Sequence, residues 1–572
     1  MDDGDKQCVL VFDEMSLKAG ISYNSSNDCV EGFEDFGDLG GSRYIANHAL
    51  AFLVRGLKNK WKQPVGYFLS SGPVSASMLR SLTRNCIEKL QSIGLNVKAI
   101  VCDQGSNNRS FVEKAEKVSP DSPFFRVNSE NIYVIYDPPH LVKNIRNNLM
   151  KHGFSHDGNS IDWIYIAKFY EFDKSNPVRM APNLTDNHIN LRPFAAMRVN
   201  LATQVLSHSV AAGISTLCAL GKLDSDASHT AKFIEQVDQM FNAFNSSNLH
   251  SSQPFRNAIR NESGHIVFLE NCLDYLDKLT LPNGKSLPCI QGWKISIRSL
   301  IMLWKDLHDN HNFSFLCTNR LNQDCAENLF SIVRGRGGHR DNPTPEQFRG
   351  AFRQIVVEQL LVQSEKSNCK VDMDKVLLDI SSISSMPAAQ TVHENEEQNM
   401  PVTRETISIM RLFNTPNTCV QNVCAYMAGY LLKHTKIVCL GCKEKCVLEQ
   451  VPADGEMYTF IREKTYQNHG SLICPTQNFI SFVEDLETYF SLNFPNYMHM
   501  GRVMFRLFTG TKMCIETSSE LFCGDMNCYS NLEKMVKLYF RVRLHAAIRR
   551  ANFGSMNSDG KRSRKVLKLK HL

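Results

Sequence analysis

Two short apolar runs, each leading into an aspartate, constrain this 572-residue chain more than any other feature. Cys8-Val9-Leu10-Val11-Phe12 runs into Asp13, and Val97-Lys98-Ala99-Ile100-Val101-Cys102 runs into Asp103. Apolar runs of this length and composition fit core strands. If the two strands are neighbours in one sheet, both carboxylates lie at the same edge. A third acid, Glu327, sits in helical spacing in Arg320-Leu-Asn-Gln-Asp324-Cys-Ala-Glu327-Asn-Leu-Phe. A helix packed over that edge would complete a set of carboxylates suited to Mg2+, a hard cation that takes oxygen donors. Two such ions, about 3.5–4 Å apart, serve an in-line phosphoryl displacement. Taken singly, an aspartate after a strand is ordinarily a cap or loop residue. Spacing also leaves open whether Asp324 or Glu327 is the ligand, since residues three apart share a helix face. The long gap before Glu327 requires a large insertion.

Strand and helix signals alternate over the first 150 residues. Val65–Ser70 and Ile132–Tyr136 read as further strands, Met78–Leu95 as a helix, and Leu141–Leu149 as a helix entered through Pro138-Pro139. This order predicts an α/β unit, a sheet with helices packed on it. From about 150 to 317 the apolar spacing turns helical, through Trp163–Tyr170, Ala195–Leu217, Lys232–Phe244 and Trp293–His308, with no convincing strand pair. Asn319–Val333 and Pro345–Val362 continue as helices around the Gly-rich turn at 334–338. The expected organisation is a first core part at 1–149, an all-α insertion at 150–317 and a last core part at 318–363. A polar linker at 364–402, a helical C-terminal domain at 403–552 and a basic tail at 553–572 follow.

Composition excludes several classes. A hydrophobic fraction of 43% is that of a globular protein, and no apolar stretch reaches membrane-spanning length. The N-terminus, Met-Asp-Asp-Gly-Asp, is acidic and leads directly into a strand, unlike a signal peptide. Net charge is only +6, but Lys561-Arg-Ser-Arg-Lys-Val-Leu-Lys-Leu-Lys570 concentrates basic residues as a nuclear-import or nucleic-acid-contacting tail does. The bland reading of that run is a solvated terminus. Nineteen cysteines without disulfide-framework spacing suit a reducing compartment. Cys439-Leu-Gly-Cys442-Lys-Glu-Lys-Cys446 has zinc-knuckle spacing, with His434 upstream and His469 and Cys474 downstream as sources of a fourth ligand. Its bland reading is a reduced loop after a helix.

Four ordered motifs carry a family resemblance. Val-Phe-Asp13-Glu-Met-Ser-Leu-Lys, Val-Cys-Asp103-Gln-Gly-Ser-Asn-Asn, Tyr-Asp137-Pro-Pro-His140-Leu-Val-Lys-Asn-Ile-Arg and Asn322-Gln-Asp324-Cys-Ala-Glu327-Asn-Leu-Phe-Ser together resemble the P-element transposase family, which includes the THAP-domain transposases. The similarity runs to Leu532–His545. It implies an RNase H-like core interrupted by an α-helical insertion, with Asp13, Asp103 and Glu327 as metal-binding catalytic triad. It places His140 near the scissile phosphate, although His140 could equally fix the turn after the proline pair.

The same resemblance implies GTP in the insertion. Its matching segments contain Arg198, Val199, Phe241, Asn242 and Asn245, with Asp324 as a link between nucleotide and active site. No Walker-type loop occurs. The family pattern Phe-Asp-x-x-Asn has Asn242 in place of its acid, which weakens guanine reading because an amide lacks the carboxylate's paired acceptors and charge. The simple alternative is that the 197–217 stripe is core. Family members begin with a THAP zinc finger and a coiled coil; here the first strand begins at residue 8, so neither is expected in this chain. Residual DNA affinity would rest on Arg334, Arg336, Arg340 and the basic tail, and would fall steeply with salt.

The implied function is cut-and-paste DNA transposition by a nuclear protein that assembles as a homo-oligomer on DNA. The alternative is a domesticated, catalytically silent derivative that binds DNA or protein.

Overall fold

Every side chain from Cys8 to Phe12 is at most 1% exposed, so their strand must be covered on both faces and flanked on both sides. The structure, a computed structural model, meets that demand. It describes residues 3–175, 179–191, 195–251, 253, 255–336, 342–358, 375–376, 418–435, 437, 439–452, 455–464, 473–516, 521–523 and 525–570.

The strands that matter for the core are β1 (Gln7–Ser16), β2 (Ser22–Asn24), β3 (Cys29–Glu31), β4 (Phe33–Asp35), β5 (Gly41–Ile45), β6 (His48–Gly56), β7 (Trp61–Ser70), β8 (Asn96–Cys102), β9 (Phe124–Val127) and β10 (Glu130–Tyr136). They join in the order β5-β4-β7-β6-β1-β8-β10-β9, while β2 and β3 pair separately. β1 is antiparallel to β6 and parallel to β8, and β10 is parallel to β8. β7, β6 and β1 run antiparallel to one another and β8 and β10 parallel to β1, the mixed sheet expected of an RNase H-like core.

β6 escapes the sequence reading because His48–Gly56 is apolar on both faces and carries no alternation. Its partner β1 continues three residues beyond Asp13, to Ser16. Helix Ala76–Ser92 covers the sheet with Leu79, Leu82, Ile87 and Leu90, and Ser75 caps it by accepting the Met78 N–H.

The chain leaves the sheet through helix Pro138–His152, and the insertion is helical except for a small sheet. β11 (Phe154–His156) and β12 (Asn159–Ile161) form a hairpin to which β13 (Leu279–Thr280) adds. The expectation of an all-α segment missed this pair, although Asp157-Gly158 carries its signal. Both residues have positive φ, 48° and 79°, as a tight hairpin turn requires. The single helix expected over Ala195–Leu217 is instead a short turn at Ala195–Met197, a helix at Val199–Val205 and another at His208–Ala219. The break falls at Leu206-Ser207, where the backbone turns extended before the second helix.

The insertion ends in helix Pro288–His311, which lies along the last part of β10. Ser296 Oγ accepts the Tyr136 N–H at 2.9 Å, and Ser299 Oγ donates to the Val134 carbonyl at 2.6 Å. These serines satisfy strand groups that would otherwise form an open edge. The chain re-enters the core at Thr318–Arg320, which is clamped to the end of β6. Arg55 Nη1 donates to the Asn319 carbonyl at 2.8 Å, and Arg320 Nη1 donates to the Gly56 carbonyl at 2.6 Å. Helices Asp324–Arg336 and Pro345–Glu358 then close the core, with Phe348 and Phe352 packed edge-on against Tyr67 of β7.

Of the segment expected as a linker at 364–402, only Lys375–Val376 is described, and it pairs with Trp61 and Lys62 of β7. A second apolar core is built by helices Thr418–Thr435, Gln477–Tyr497, Val503–Glu516 and Met526–Lys570. It is tied to the first by Asp28, whose carboxylate accepts the Met504 and Phe505 N–H groups at 2.7 and 2.8 Å. The last helix runs through the basic run to Lys570.

Candidate active site

Strand register brings the acids together. β1 and β8 are parallel with Val11 beside Val101, which puts Asp13 in step with Asp103. β8 and β10 pair Cys102 with Tyr136, which puts Asp137 next in the row. All three aspartates therefore lie at the same ends of adjacent strands. Asp13 accepts the Glu14 N–H at 2.8 Å, and Asp103 accepts the Gly105 N–H at 3.0 Å and an Asn108 amide hydrogen at 2.5 Å.

Glu327 arrives on helix Asp324–Arg336, and Gln323 docks that helix. The Gln323 N–H donates to Asp137 Oδ1 at 2.7 Å, and its side-chain amide donates to the Phe12 carbonyl at 2.7 Å, one residue before Asp13. Partial burial raises the Asp13 carboxyl to about 8, with the Asp103 charge adding to the rise and Glu327 contributing less. Glu327 is raised as well, by burial and then by Asp137, with His140, Lys143 and Arg334 opposing. Asp13, Asp103 and Glu327 thus share one electrostatic neighbourhood, although among the described residues their ligand atoms do not converge as four cysteine thiols elsewhere do.

Asp324 is placed differently. It accepts an Asn322 amide hydrogen at 2.9 Å, and its carboxyl is raised to about 7 by burial and Asp137, with the Arg55 guanidinium opposing. Glu327, not Asp324, is the helix acid whose charge reaches Asp13.

His140 contacts Asp137 through Nδ1 at 2.6 Å, and its backbone N–H donates to the same carboxylate at 3.1 Å. Burial works to lower its imidazole, but the hydrogen bond and charge of Asp137 outweigh that and hold it near 9. That favours its protonated form, and the same contact completes the turn after the proline pair, the structural reading of the residue. Lys143 was not singled out from the sequence, although it stands three residues on along the same helix. Burial lowers its ammonium, while Asp137, Glu327 and Asp103 raise it. Glu14 was also missed. It accepts the Val74 N–H at 3.1 Å, and burial raises it to about 7, with Asp103 adding to the rise. Its position beside Asp13 in the strand was the available signal.

The donor set suits a hard divalent cation. Several half-buried carboxyls hold their protons above the usual range because burial penalises their charge and neighbouring carboxylates add to the rise, and a bound cation would relieve that.

In the insertion, Phe241 packs partly buried against the core at the end of helix Ala227–Ala243, and Asn242 and Asn245 follow in its last turn and exit. The Asn242 amide donates to Asp238 Oδ2 at 2.9 Å. Arg198 is exposed at the entry to helix Val199–Val205. Helix Pro138–His152 packs against both helices. From it the fully buried Arg146 donates to the Ala196 carbonyl at 3.0 Å, while its Nη1 finds no hydrogen-bond partner among the described residues. A buried guanidinium with an unused donor suits an anionic oxygen. Of the basic residues expected to meet DNA, Arg336 bonds Gln354 at 2.8 Å and Arg340 lies outside the described residues.

The expected zinc set changes. Cys439 and Cys442 gather with Cys523 and Cys528, while Cys446 points its thiol at the Leu521 carbonyl from within the apolar core. Cys446 is the last residue of helix Leu440–Cys446, and its thiol stays within that core. His434 packs on Tyr430 with ring centroids 4.3 Å apart, Cys474 pairs with Leu448 in a short strand, and His469 lies outside the described residues.

Comparison with known proteins gives concordant matches. Residues 1–116 match the TNP-like RNase H N-terminal domain, 139–257 the TNP-like GTP-binding insertion domain and 319–353 the TNP-like RNase H C-terminal domain. The Drosophila melanogaster Transposable element P transposase is 28% identical over 575 residues, covering 96% of this chain and 68% of that protein. The Homo sapiens DNA transposase THAP9 is 27% identical over 382 residues, covering 60% of this chain but only 40% of that protein. Among solved structures, the Drosophila P element transposase strand transfer complex matches with a TM-score of 0.57 and 30% identity, over 63% of this chain and 78% of that one.

Proposed function

The chain belongs to the family of the P-element and THAP9 transposases, with an RNase H-like core and a GTP-binding-type insertion, and from that premise we propose that it cuts and joins DNA strands at Asp13, Asp103 and Glu327. The observation that carries this reading is the parallel register of β1 and β8, which sets Asp13 in step with Asp103, with the helix of Glu327 docked beside them through Gln323. These three carboxylates would hold divalent ions, which when bound make an oxygen nucleophile available at neutral pH and stabilise the leaving oxygen. In the first step a water oxygen attacks the phosphorus and the bond to the 3′-oxygen breaks, leaving a 3′-OH once that oxygen gains a proton. In the second step this 3′-OH attacks a target phosphodiester, displacing its 3′-oxygen. His140 and Lys143 supply the cationic wall beside the acids, His140 fixed by Asp137 and Lys143 one helical turn on. They would face the non-bridging oxygens of the phosphate, where charge accumulates.

Asp103→Ala tests the reading. With Mn2+ or Mg2+ and an oligonucleotide ending in a free 3′-OH, the parent chain should join it to plasmid DNA and the variant should not, with DNA binding unchanged. Equal joining by both would remove Asp103 from the reaction. A parent chain that neither joins DNA nor takes up Mn2+ by calorimetry would instead be the silent, DNA-binding derivative.

The insertion is assigned a guanine nucleotide on the strength of its family match and the spare donor of Arg146. Phe241 and Asn245 would flank the base, and Arg198 and Val199 would lie toward it from the start of helix Val199–Val205. Asp324 would relay the occupied state to Glu327 on its own helix. With Asn242 in the acid position and bonded to Asp238, discrimination against ATP should be weak. A thermal shift with GTP that disappears in Phe241→Ala supports the site, and no shift with either nucleotide opposes it. Action on DNA and the basic run at 561–570 support a nuclear location. Among the described residues no helix is long and apolar enough to cross a membrane.

A further inference from the structure

Four cysteines from two distant segments meet in the C-terminal domain. Cys439 and Cys442 flank the entry to helix Leu440–Cys446, and Cys523 and Cys528 flank the entry to helix Met526–Lys570. Their sulfurs all lie within 4.8 Å of one another. Cys439 and Cys523 are 3.8 Å apart and Cys523 and Cys528 are 3.5 Å apart. A disulfide would bring two sulfurs to about 2.05 Å, and all four thiols are free. Four sulfurs around one tetrahedral zinc at about 2.3 Å stand about 3.8 Å apart along each edge. The 3.8 and 3.5 Å separations lie close to that edge, and the other pairs are within 4.8 Å.

The surroundings agree. The Cys523 backbone N–H donates to Cys442 Sγ at 3.2 Å, the kind of outer hydrogen bond that orients and stabilises a thiolate ligand. Cys442 and Cys528 are buried, Cys439 is half-buried and Cys523 is exposed, so an ion has a path in from solvent and a closed site once bound. Cys446, four residues from Cys442 and the obvious third ligand by spacing, faces a backbone carbonyl instead.

We propose that Cys439, Cys442, Cys523 and Cys528 bind one structural zinc ion. The site would close an 81-residue span between Cys442 and Cys523 and fix the base of the last helix. Further along, that helix meets the segment between β1 and β2, where Asn552 accepts the Ile21 N–H at 3.0 Å and donates to the Ile21 carbonyl at 2.8 Å. All four coordination positions are taken by protein, so the ion has no open place for substrate and serves architecture.

The test is metal analysis of the full chain, purified under reducing conditions without chelator. One zinc per chain is expected in the parent and in Cys446→Ala, with at least a tenfold loss in Cys523→Ser and in Cys439→Ser. Should those variants fail to fold, the parent decides alone. After exchange into Co2+ it should show the intense visible absorption of a tetrahedral thiolate complex, and these four cysteines should resist alkylation until the metal is stripped. A parent without bound metal, one carrying iron in place of zinc, a disulfide among these four cysteines, or full zinc in Cys523→Ser would each overturn the proposal.

Discussion

The Asp137 carboxylate accepts the backbone N–H of Gln323 at 2.7 Å, 186 residues away in sequence. The same side chain caps helix Pro138–His152 through the His140 N–H, so one buried group starts two helices. The first carries His140 and Lys143, and the second carries Glu327. Relative placement of cations and acid is therefore set by a single carboxylate.

Asp137→Ala should remove a helix cap and leave the Gln323 N–H buried without an acceptor. The cap is worth about 1 kcal/mol and the orphaned donor about 1–3 kcal/mol, so a loss of about 2–4 kcal/mol is expected. Denaturant titration should show a lower midpoint at unchanged slope, and DNA joining should fall with it. Parent-like stability would mean that the helix of Glu327 docks without this bond.

The Asp137–His140 pair also gives a pH signature. His140 is held near 9 in the folded chain against 6.5 ordinarily, so folding favours its protonated form. That contribution is complete below about pH 6.5 and disappears as pH rises through about 9. The displacement corresponds to about 3 kcal/mol at most. His140→Gln should therefore be less stable than the parent in mild acid, with the gap narrowing toward alkaline pH. A constant gap in melting temperature across that range would assign the loss to packing instead.

The parts of this arrangement visible in the sequence were those written in contiguous residues. Asp13 and Asp103 stood out because each follows an apolar run, and register converts that pattern into adjacency. Pro138-Pro139 marked a helix start, and the observed helix begins there with Asp137 as its cap. What escaped depends on distant contacts. Gln323 looks like any polar residue before a helix until the Phe12 carbonyl and Asp137 are beside it. Cys523 and Cys528 have unremarkable spacing and gain meaning only from the fold that sets them against Cys439 and Cys442. β6, buried on both faces, offered no period to read.

A hydroxyl pair joins the insertion to the core. Thr318 Oγ1 donates to the Ala243 carbonyl at 2.8 Å and accepts the Ser246 N–H at 3.0 Å, immediately after the Phe241–Asn245 segment. Thr318→Val keeps the shape but leaves those buried groups unpaired, at a cost of about 1–3 kcal/mol. If nucleotide acts on catalysis through this joint, the variant should still show a thermal shift with GTP while its joining rate no longer responds to GTP. An intact GTP response would route the coupling elsewhere.

Gly292 lies where the last insertion helix meets the loop of Asp103. A Cβ there would stand 2.6 Å from the Gln104 amide nitrogen and 3.0 Å from Leu141 Cδ2. Gln104 uses that amide to hold the Pro288 carbonyl at 2.5 Å, so it ties the residue after Asp103 to the start of the helix. Gly292→Ala must push the amide off its partner. The end of a flexible side chain yields easily, so stability should drop by only about 1 kcal/mol. Position of Asp103 matters more than stability here, and strand joining should fall about tenfold, equivalent to about 1.4 kcal/mol in the barrier. Gln104→Ala should give a similar rate, because it cuts the same tie. The double variant should be no slower than either single one, since both changes remove one interaction. Additive losses in the double variant would show that Gly292 and Gln104 act on the reaction by separate routes.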